Sequence, residues 1–248
     1  MVHFELIIFF FVVAVVYASV GFGGGSSYLA ILSLYDLPFQ EIRIAALLCN
    51  IIVVTGGVIL NIIHKGVAWK KIMPLVLMSV PMSFLGESIR MHENTFFVIL
   101  GFTLLAASVL LWMKTKSINP EPNINSSNVL LNVGIGGGIG FLSGMVGIGG
   151  GIFLSPLLNL MRWDSPKVIA VAATVFILVN SVAGLAGQYS QVPVTLNWNF
   201  LSALSVAVFA GGQVGSRIGI VTFNGLIIRR VTAALVGFAG IEVLIKHF

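Results

Sequence analysis

The sequence predicts an all-α integral membrane protein of two inverted repeats. Each repeat is a glycine-broken re-entrant helical hairpin followed by three transmembrane helices, about eight spans in total. Three observations predict this. Hydrophobic residues make up 58% of the 248-residue chain and charged residues only 8%, where a soluble domain carries roughly 25% charged residues. The cluster Gly21-Phe22-Gly23-Gly24-Gly25 recurs as Gly147-Ile148-Gly149-Gly150-Gly151, 126 residues further on, and each copy interrupts a long apolar run. The Lys and Arg residues, 13 in all, fall singly or in pairs at the ends of apolar runs, as determinants of membrane topology do.

The first run, Leu6 to Tyr35, carries no charge and is broken at Gly21–Gly25. Glycine inside a helix costs about 1 kcal/mol relative to alanine, so three in a row should end it. The part before the break can cross much of the hydrocarbon layer, while the part after it, about 26–36, is half a span. One long bent helix or a hairpin that enters and returns would both fit. Asp36, Pro38, Gln40 and Glu41 make a polar turn. Ile44–Ile63 is an uncharged span closed by His64 and Lys65, with Trp69, Lys70 and Lys71 in the loop beyond. Ile72–Gly86 is a third span, in which Pro74 and Pro81 predict a kink. Glu87, Arg90, His92 and Glu93 read as a polar loop, with Glu87 and Arg90 a surface pair. Asn94–Met113 is the fourth span.

Residues 1–114 thus form repeat 1. Residues 115–128, polar with two prolines, form a cytoplasmic linker, and 129–248 form repeat 2. Val129–Met161 restates the glycine-broken run, and Arg162, Asp164 and Lys167 restate the polar turn. Val168–Ser216 is free of charge for 49 residues, room for two spans around a Gln188–Asn199 loop, and about 225–247 supplies the last span. Further matches support a duplication: Trp69 and Gly86 with Trp198 and Gly215 at an offset of 129, and Ala45-Ala46 with Ala172-Ala173 at 127.

Charge decides between the two shapes of the broken run. If 129–161 is a re-entrant hairpin, ten basic residues lie inside and three (Arg43, Arg90, Lys246) outside. If it crosses once, the division is six to seven. The positive-inside rule prefers the first. The expected protein therefore has inverted repeats and both termini outside.

Composition also excludes functions. Cys49 is the single cysteine, so no intramolecular disulfide forms, and one cysteine with four scattered histidines offers no zinc set. No metal site, no cofactor and no nucleic-acid partner is expected. An intramembrane enzyme would need His, Asp or Glu clustered within the spans, and only Glu242 comes near. No Gly-Lys-Ser/Thr follows the glycines, which excludes an ordinary phosphate-binding loop.

The glycine breaks carry the expected chemistry. A half-helix that starts inside the bilayer exposes unpaired backbone N–H groups and the positive end of its dipole, which together bind an anion. Glycines permit close approach of a ligand and can form a concave nest of amides. The candidate binding residues are Gly21, Gly23, Gly24, Gly25, Ser26 and Ser27 in the first copy and Gly147, Gly149, Gly150 and Gly151 in the second. Ile152 and Phe153 replace the two serines in that copy, so the two sites are unequal. The bland alternative is that these glycines only let helices pack closely. Asn50 and Thr55 on the second span and Thr174, Asn180 and Ser181 on the sixth are weaker candidates, since ordinary interhelical hydrogen bonding also explains them. Arg217 would pair with an anion or mark the cytoplasmic edge, and the edge reading is preferred. Cys49 would contact a sulfur compound or simply fill the core. No carboxylate lies at the centre of a span, which leaves the coupling ion open.

The glycine clusters, in the contexts Ser19-Val20-Gly21-Phe22-Gly23-Gly24-Gly25 and Gly144-Met145-Val146-Gly147-Ile148-Gly149-Gly150-Gly151, resemble those of the sulfite exporter TauE/SafE family. So do Gly66 with Trp69, and Gly212 with Gly215-Ser216-Arg217. The resemblance covers nearly the whole chain. It implies a multi-pass plasma-membrane transporter of a small sulfur-containing anion such as sulfite, a sulfonate, thiosulfate or a related organosulfur compound. A secondary transporter working by alternating access is the leading expectation, and an anion channel with a glycine-lined pore is the alternative.

Overall fold

The protein is described by a computed structural model covering residues 4–35, 37–65, 68–89, 91–113, 128–188, 198–221 and 225–247. The linker expected at 115–128 lies outside the described residues except for Asn128, as does most of the Gln188–Asn199 loop. All regular structure among the described residues is helical.

The first half begins with α1 (Phe4–Val20) and α2 (Gly25–Leu32). Helix α1 stops where Gly21 takes φ +86°, and α2 starts after Gly24 at φ +87°. Only glycine adopts such angles freely. The chain then doubles back. Phe10 on α1 stacks on Tyr28 of α2 with ring centroids 4.6 Å apart, whereas an unbroken helix would hold these positions about 27 Å apart. Tyr17 Oη lies 2.7 Å from Ser27 Oγ and secures the same turn. Three long helices follow: α3 (Phe39–Lys65), α4 (Trp69–Ser88) and α5 (Glu93–Trp112). Pro74 and Pro81 sit inside α4, which remains one continuous helix.

The second half repeats this order: α6 (Val129–Val146), α7 (Gly151–Leu160), α8 (Pro166–Gly187), α9 (Trp198–Val221) and α10 (Gly225–His247). The α6–α7 break has Gly147, Gly149 and Gly150 at φ +70°, +75° and +80°. Asn128 caps α6 by accepting from the Leu130 and Leu131 N–H groups. Ser165 caps α8, with Pro166 in the first turn where its missing N–H costs nothing.

Two glycine rows set the closest helix contacts. Gly136, Gly140 and Gly144 of α6 lie on the backbone of Leu75, Ser79 and Ser83 of α4. Gly211, Gly215 and Gly219 of α9 lie in the same way on Phe11, Val15 and Ser19 of α1. In both pairs the residue numbers rise together, so the paired helices run in the same direction. The packing has a regularity of its own. Helix α1 packs on α9 and α6 on α4, α2 on α10 and α7 on α5, and α3 on α9 and α8 on α4, while α3 meets α8 and α5 meets α10. Exchanging each helix for its counterpart in the other half leaves this set unchanged.

Four described helices are long and apolar enough to cross a membrane: Phe39–Ile63, Glu93–Trp112, Val129–Val146 and Pro166–Gly187. Large apolar side chains, including Leu77, Phe102, Val206, Phe238 and Ile245, are exposed on the outside of the bundle. Water would penalise such a surface and lipid does not.

One sequence-based expectation is corrected here. Glu87 does not form a surface pair with Arg90, which lies outside the described residues. Glu87 is fully buried, and its partner is Arg43, whose Nη2 donates to Glu87 Oε1 at 2.6 Å. Glu87 and Ser88 form the end of α4, with Glu87 against Arg43 of α3 and Gln188 at the end of α8, while Ile89, Met91 and His92 lie outside the helices before α5 begins at Glu93.

Candidate functional site

The two glycine breaks meet at Asn50. This residue sits near the middle of α3 and is fully buried. Its Oδ1 accepts the Gly25 N–H at 3.2 Å, the first amide of α2. Its Nδ2 donates to the Ile148 carbonyl in the second break at 3.3 Å and to Ser181 Oγ on α8 at 2.9 Å. One side-chain amide therefore joins α3, the start of α2, the α6–α7 turn and α8. A buried primary amide with a single partner would be costly, and these three bonds satisfy most of its capacity.

The glycines make room for that arrangement. A Cβ on Gly23 would overlap the Asn50 carboxamide, and one on Gly149 would lie 2.7 Å from both Asn50 Nδ2 and Ser181 Oγ. A Cβ on Gly150 would press on Phe176 and Ser143, and one on Gly24 on the Tyr28 ring. In the second half, Ile177 takes the place against Gly151 that Asn50 takes against Gly25. The halves share a shape and differ in chemistry, as the replacement of Ser26 and Ser27 by Ile152 and Phe153 foretold.

The helix starts provide the electrostatics. Neither α2 nor α7 has a side-chain cap at its N terminus. Apart from Gly25, the first-turn amides lack a capping side chain, and helix N termini carry the positive end of the dipole. Hydroxyls gather around the first: Ser26 and Ser27 are buried, Tyr17 Oη bonds Ser27, and the buried Tyr28 Oη has no hydrogen-bond partner.

The other expected residues divide. Thr174 joins the glycine turns, because its Oγ1 donates to the Gly21 carbonyl at 3.0 Å as well as to Ala170 O of its own helix. Asn180 is buried on α8 with neither side-chain atom hydrogen-bonded, and its carbonyl accepts from Ser83. Thr55 turns back onto the Ile51 carbonyl of its own helix. Arg217 is exposed on α9 and takes no part in the meeting of the breaks. Cys49 is buried beside Asn50 in sequence. Sequence reasoning did not single out Ile148, whose role is carried by its backbone, or Tyr17 and Tyr28. Among the described residues no group of three or more His, Cys, Asp or Glu gathers to hold a metal.

Comparison with known proteins places the chain in a family. The profile of the sulfite exporter TauE/SafE family matches residues 6–243. The chain belongs to that family. It is a membrane transporter of the TauE/SafE type, with both glycine breaks inside the matched region. A probable membrane transporter protein, y4hK, of Sinorhizobium fredii (strain NBRC 101917 / NGR234) is 30% identical over 246 residues, covering 96% of this chain and 97% of the relative. A second, YunE of Bacillus subtilis (strain 168), also named a probable membrane transporter protein, is 28% identical over 247 residues, 88% of this chain and 89% of its own. No solved structure matches the chain at a significant level.

Proposed function

We propose that the protein is a secondary transporter that carries a small sulfur-containing anion across the plasma membrane by alternating access. The anion sits between the N termini of α2 and α7, beside Asn50. The observation that carries this reading is the three-way bonding of Asn50 to Gly25, Ile148 and Ser181. It ties the first amide of α2 and the turn that precedes α7, from opposite halves of the chain, to one buried side chain, and helix starts attract negative charge in the dry interior of a bundle.

In this reading the halves are inverted repeats. The exchange symmetry of the helix packing supports it, and so does the doubling back at each glycine break. So does the grouping of ends. Phe39 at the start of α3 packs on Phe96 and Phe97 at the start of α5, and Phe97 stacks on His247 at the end of α10. Lys71, far along α4 from Glu87, pairs instead with Asp164 before α8, with N–O 2.6 Å. The α1–α2 hairpin then enters from the Phe39 end and the α6–α7 hairpin from the Lys71 end. The remaining six long helices all span, so that the linker is cytoplasmic and both termini lie outside.

Sulfite, sulfonates and thiosulfate are the favoured guests, because the family is named for sulfite export and its glycine motifs are present twice here. The closed meeting point favours a gated transporter over a channel. Gly23, Gly24, Gly25, Gly149, Gly150 and Gly151 are all buried, and Asn50 fills the space between the turns. Flux in proteoliposomes tests the reading. Saturable uptake of radiolabelled sulfite, thiosulfate or methanesulfonate, with accumulation driven by an ion gradient, is the expected result. Unsaturable flux that no gradient drives would support the channel, and no flux of any of these anions would refute the substrate assignment.

A further inference from the structure

We propose that Glu87 is a proton-binding site that ties proton movement to anion movement through the second glycine turn; this rests on the transporter reading above. The carboxylate is fully buried in the last turn of α4. Its Oε1 accepts from Arg43 Nη2 and from Gln188 Nε2. Its Oε2 has no hydrogen-bond partner. That oxygen faces glycines: a Cβ on Gly147 would lie 3.8 Å from it, and one on Gly184 3.5 Å. Gly147 ends α6, and the carbonyl of the next residue, Ile148, holds Asn50. The carboxylate and the Asn50 amide thus flank the same turn.

The charges around Glu87 are few. From α3 comes Arg43, itself buried, with its guanidinium carbon 5.4 Å from the Phe39 ring centroid and 5.0 Å from that of Phe96 on α5. From the end of α8 come the neutral Gln188 and Gly184, and from the α6–α7 turn comes Gly147. Arg43 is the charged side chain in contact with Glu87 among the described residues. The pair is neutral as it stands. When a proton from water adds to Oε2, the carboxylate becomes a neutral acid and the Arg43 charge is left unmatched in a buried site. A monoanion entering nearby restores neutrality. Proton and anion therefore favour each other's binding, and the favour is reciprocal. The two travel in the same direction, one proton with one monoanion, without net charge.

The arrangement exists on one side only. At the offset that aligns Gly86 with Gly215, Glu87 aligns with Ser216. Ser216 lies near Gly57, which also contacts Thr174 beside the first turn. A neutral hydroxyl stands where the other half has an acid, so proton uptake is confined to the turn of the second half. A purely structural ion pair, clamping α3, α4 and α8 together, would need no exchange of protons.

The test uses purified protein in liposomes enclosing a pH-sensitive dye, with methanesulfonate and ethanesulfonate as probes because both are monoanions near neutral pH. Wild type should acidify the lumen when either anion is added outside, in step with anion uptake. Glu87→Gln should lose that acidification while still exchanging internal for external anion. Anion uptake by wild type without proton movement would overturn the coupling and leave the transport reading intact. So would proton uptake by Glu87→Gln equal to that of wild type. If Glu87→Gln does not insert, the wild-type dye signal decides. Infrared spectroscopy provides an arm that does not depend on transport. A carboxylic acid band that titrates in wild type and is missing in Glu87→Gln supports the proton site, and its absence from wild type overturns it. If wild type moves neither anion, the transport reading fails, and the infrared band alone decides the proton site.

Discussion

Asn50 Nδ2 donates to Ser181 Oγ across 2.9 Å, although the two residues stand 131 positions apart. The bond joins α3 near its middle to the C-terminal third of α8, the helices that follow the glycine breaks in each half. With the Gly25 and Ile148 bonds it makes Asn50 the meeting point of four segments.

Asn50→Leu should therefore cost both stability and transport. Leucine fits the apolar surroundings but leaves the Gly25 N–H without its acceptor. A buried unsatisfied donor costs about 1–3 kcal/mol. Thermal unfolding in detergent should show a lower midpoint, and flux should fall much further than the lowered stability explains. Full transport by a folded Asn50→Leu would refute this role.

Gly24→Leu and Gly150→Leu should abolish transport while the protein still inserts. Both glycines adopt positive φ, and a side chain at either would strike an aromatic ring, Tyr28 or Phe176. Membrane fractionation checks insertion and proteoliposome flux checks activity. Normal anion binding by both variants would overturn the assignment.

Glycines on one helix should differ sharply. A Cβ on Gly134 meets nothing within 4 Å, whereas one on Gly140 would lie 2.7 Å from the Ser79 backbone. Gly134→Ala should be neutral or gain up to about 1 kcal/mol from helix propensity. Gly140→Ala should lose about 1–3 kcal/mol as α6 is pushed off α4. Unfolding midpoints of the two variants compare them directly.

Cysteine labelling reads the orientation. With Cys49 buried and unreactive to surface reagents, Pro120→Cys in the linker should react with an impermeant maleimide only in inside-out vesicles. Glu5→Cys should react only in intact cells. The reverse pattern would invert the proposed topology, and labelling of both from one side would end the re-entrant reading.

Part of this architecture can be read in the sequence, because both breaks occur at the paired glycine clusters. Three glycines in a row do not suffice to end a helix, however: Gly136-Gly137-Gly138 run through the continuous helix α6, and the breaks stand where Gly21, Gly24, Gly147, Gly149 and Gly150 take positive φ. The helix glycines at intervals of four, Gly136-Gly140-Gly144 and Gly211-Gly215-Gly219, were not singled out, and their role in close packing appears only in the fold. Asn50 was legible as a candidate but not as a hub, because its partners lie 25, 98 and 131 residues away. Glu87 was misread for the same reason. Its neighbours Arg90, His92 and Glu93 make the stretch look like a solvated loop, while the residue that neutralises it, Arg43, is 44 positions earlier. Arg217 was the candidate for which the edge of the membrane was the preferred reading, and the fold leaves it exposed on α9.

The most direct measurement is a cryo-electron map of the protein with the tightest-binding of sulfite, thiosulfate and methanesulfonate. The account predicts density for the anion within hydrogen-bonding reach of the first-turn amides of α2 and α7, beside the Asn50 side chain. Density at the outer surface, or bound anion with the Asn50 bonds to Gly25, Ile148 and Ser181 undisturbed and no density between the turns, would contradict it.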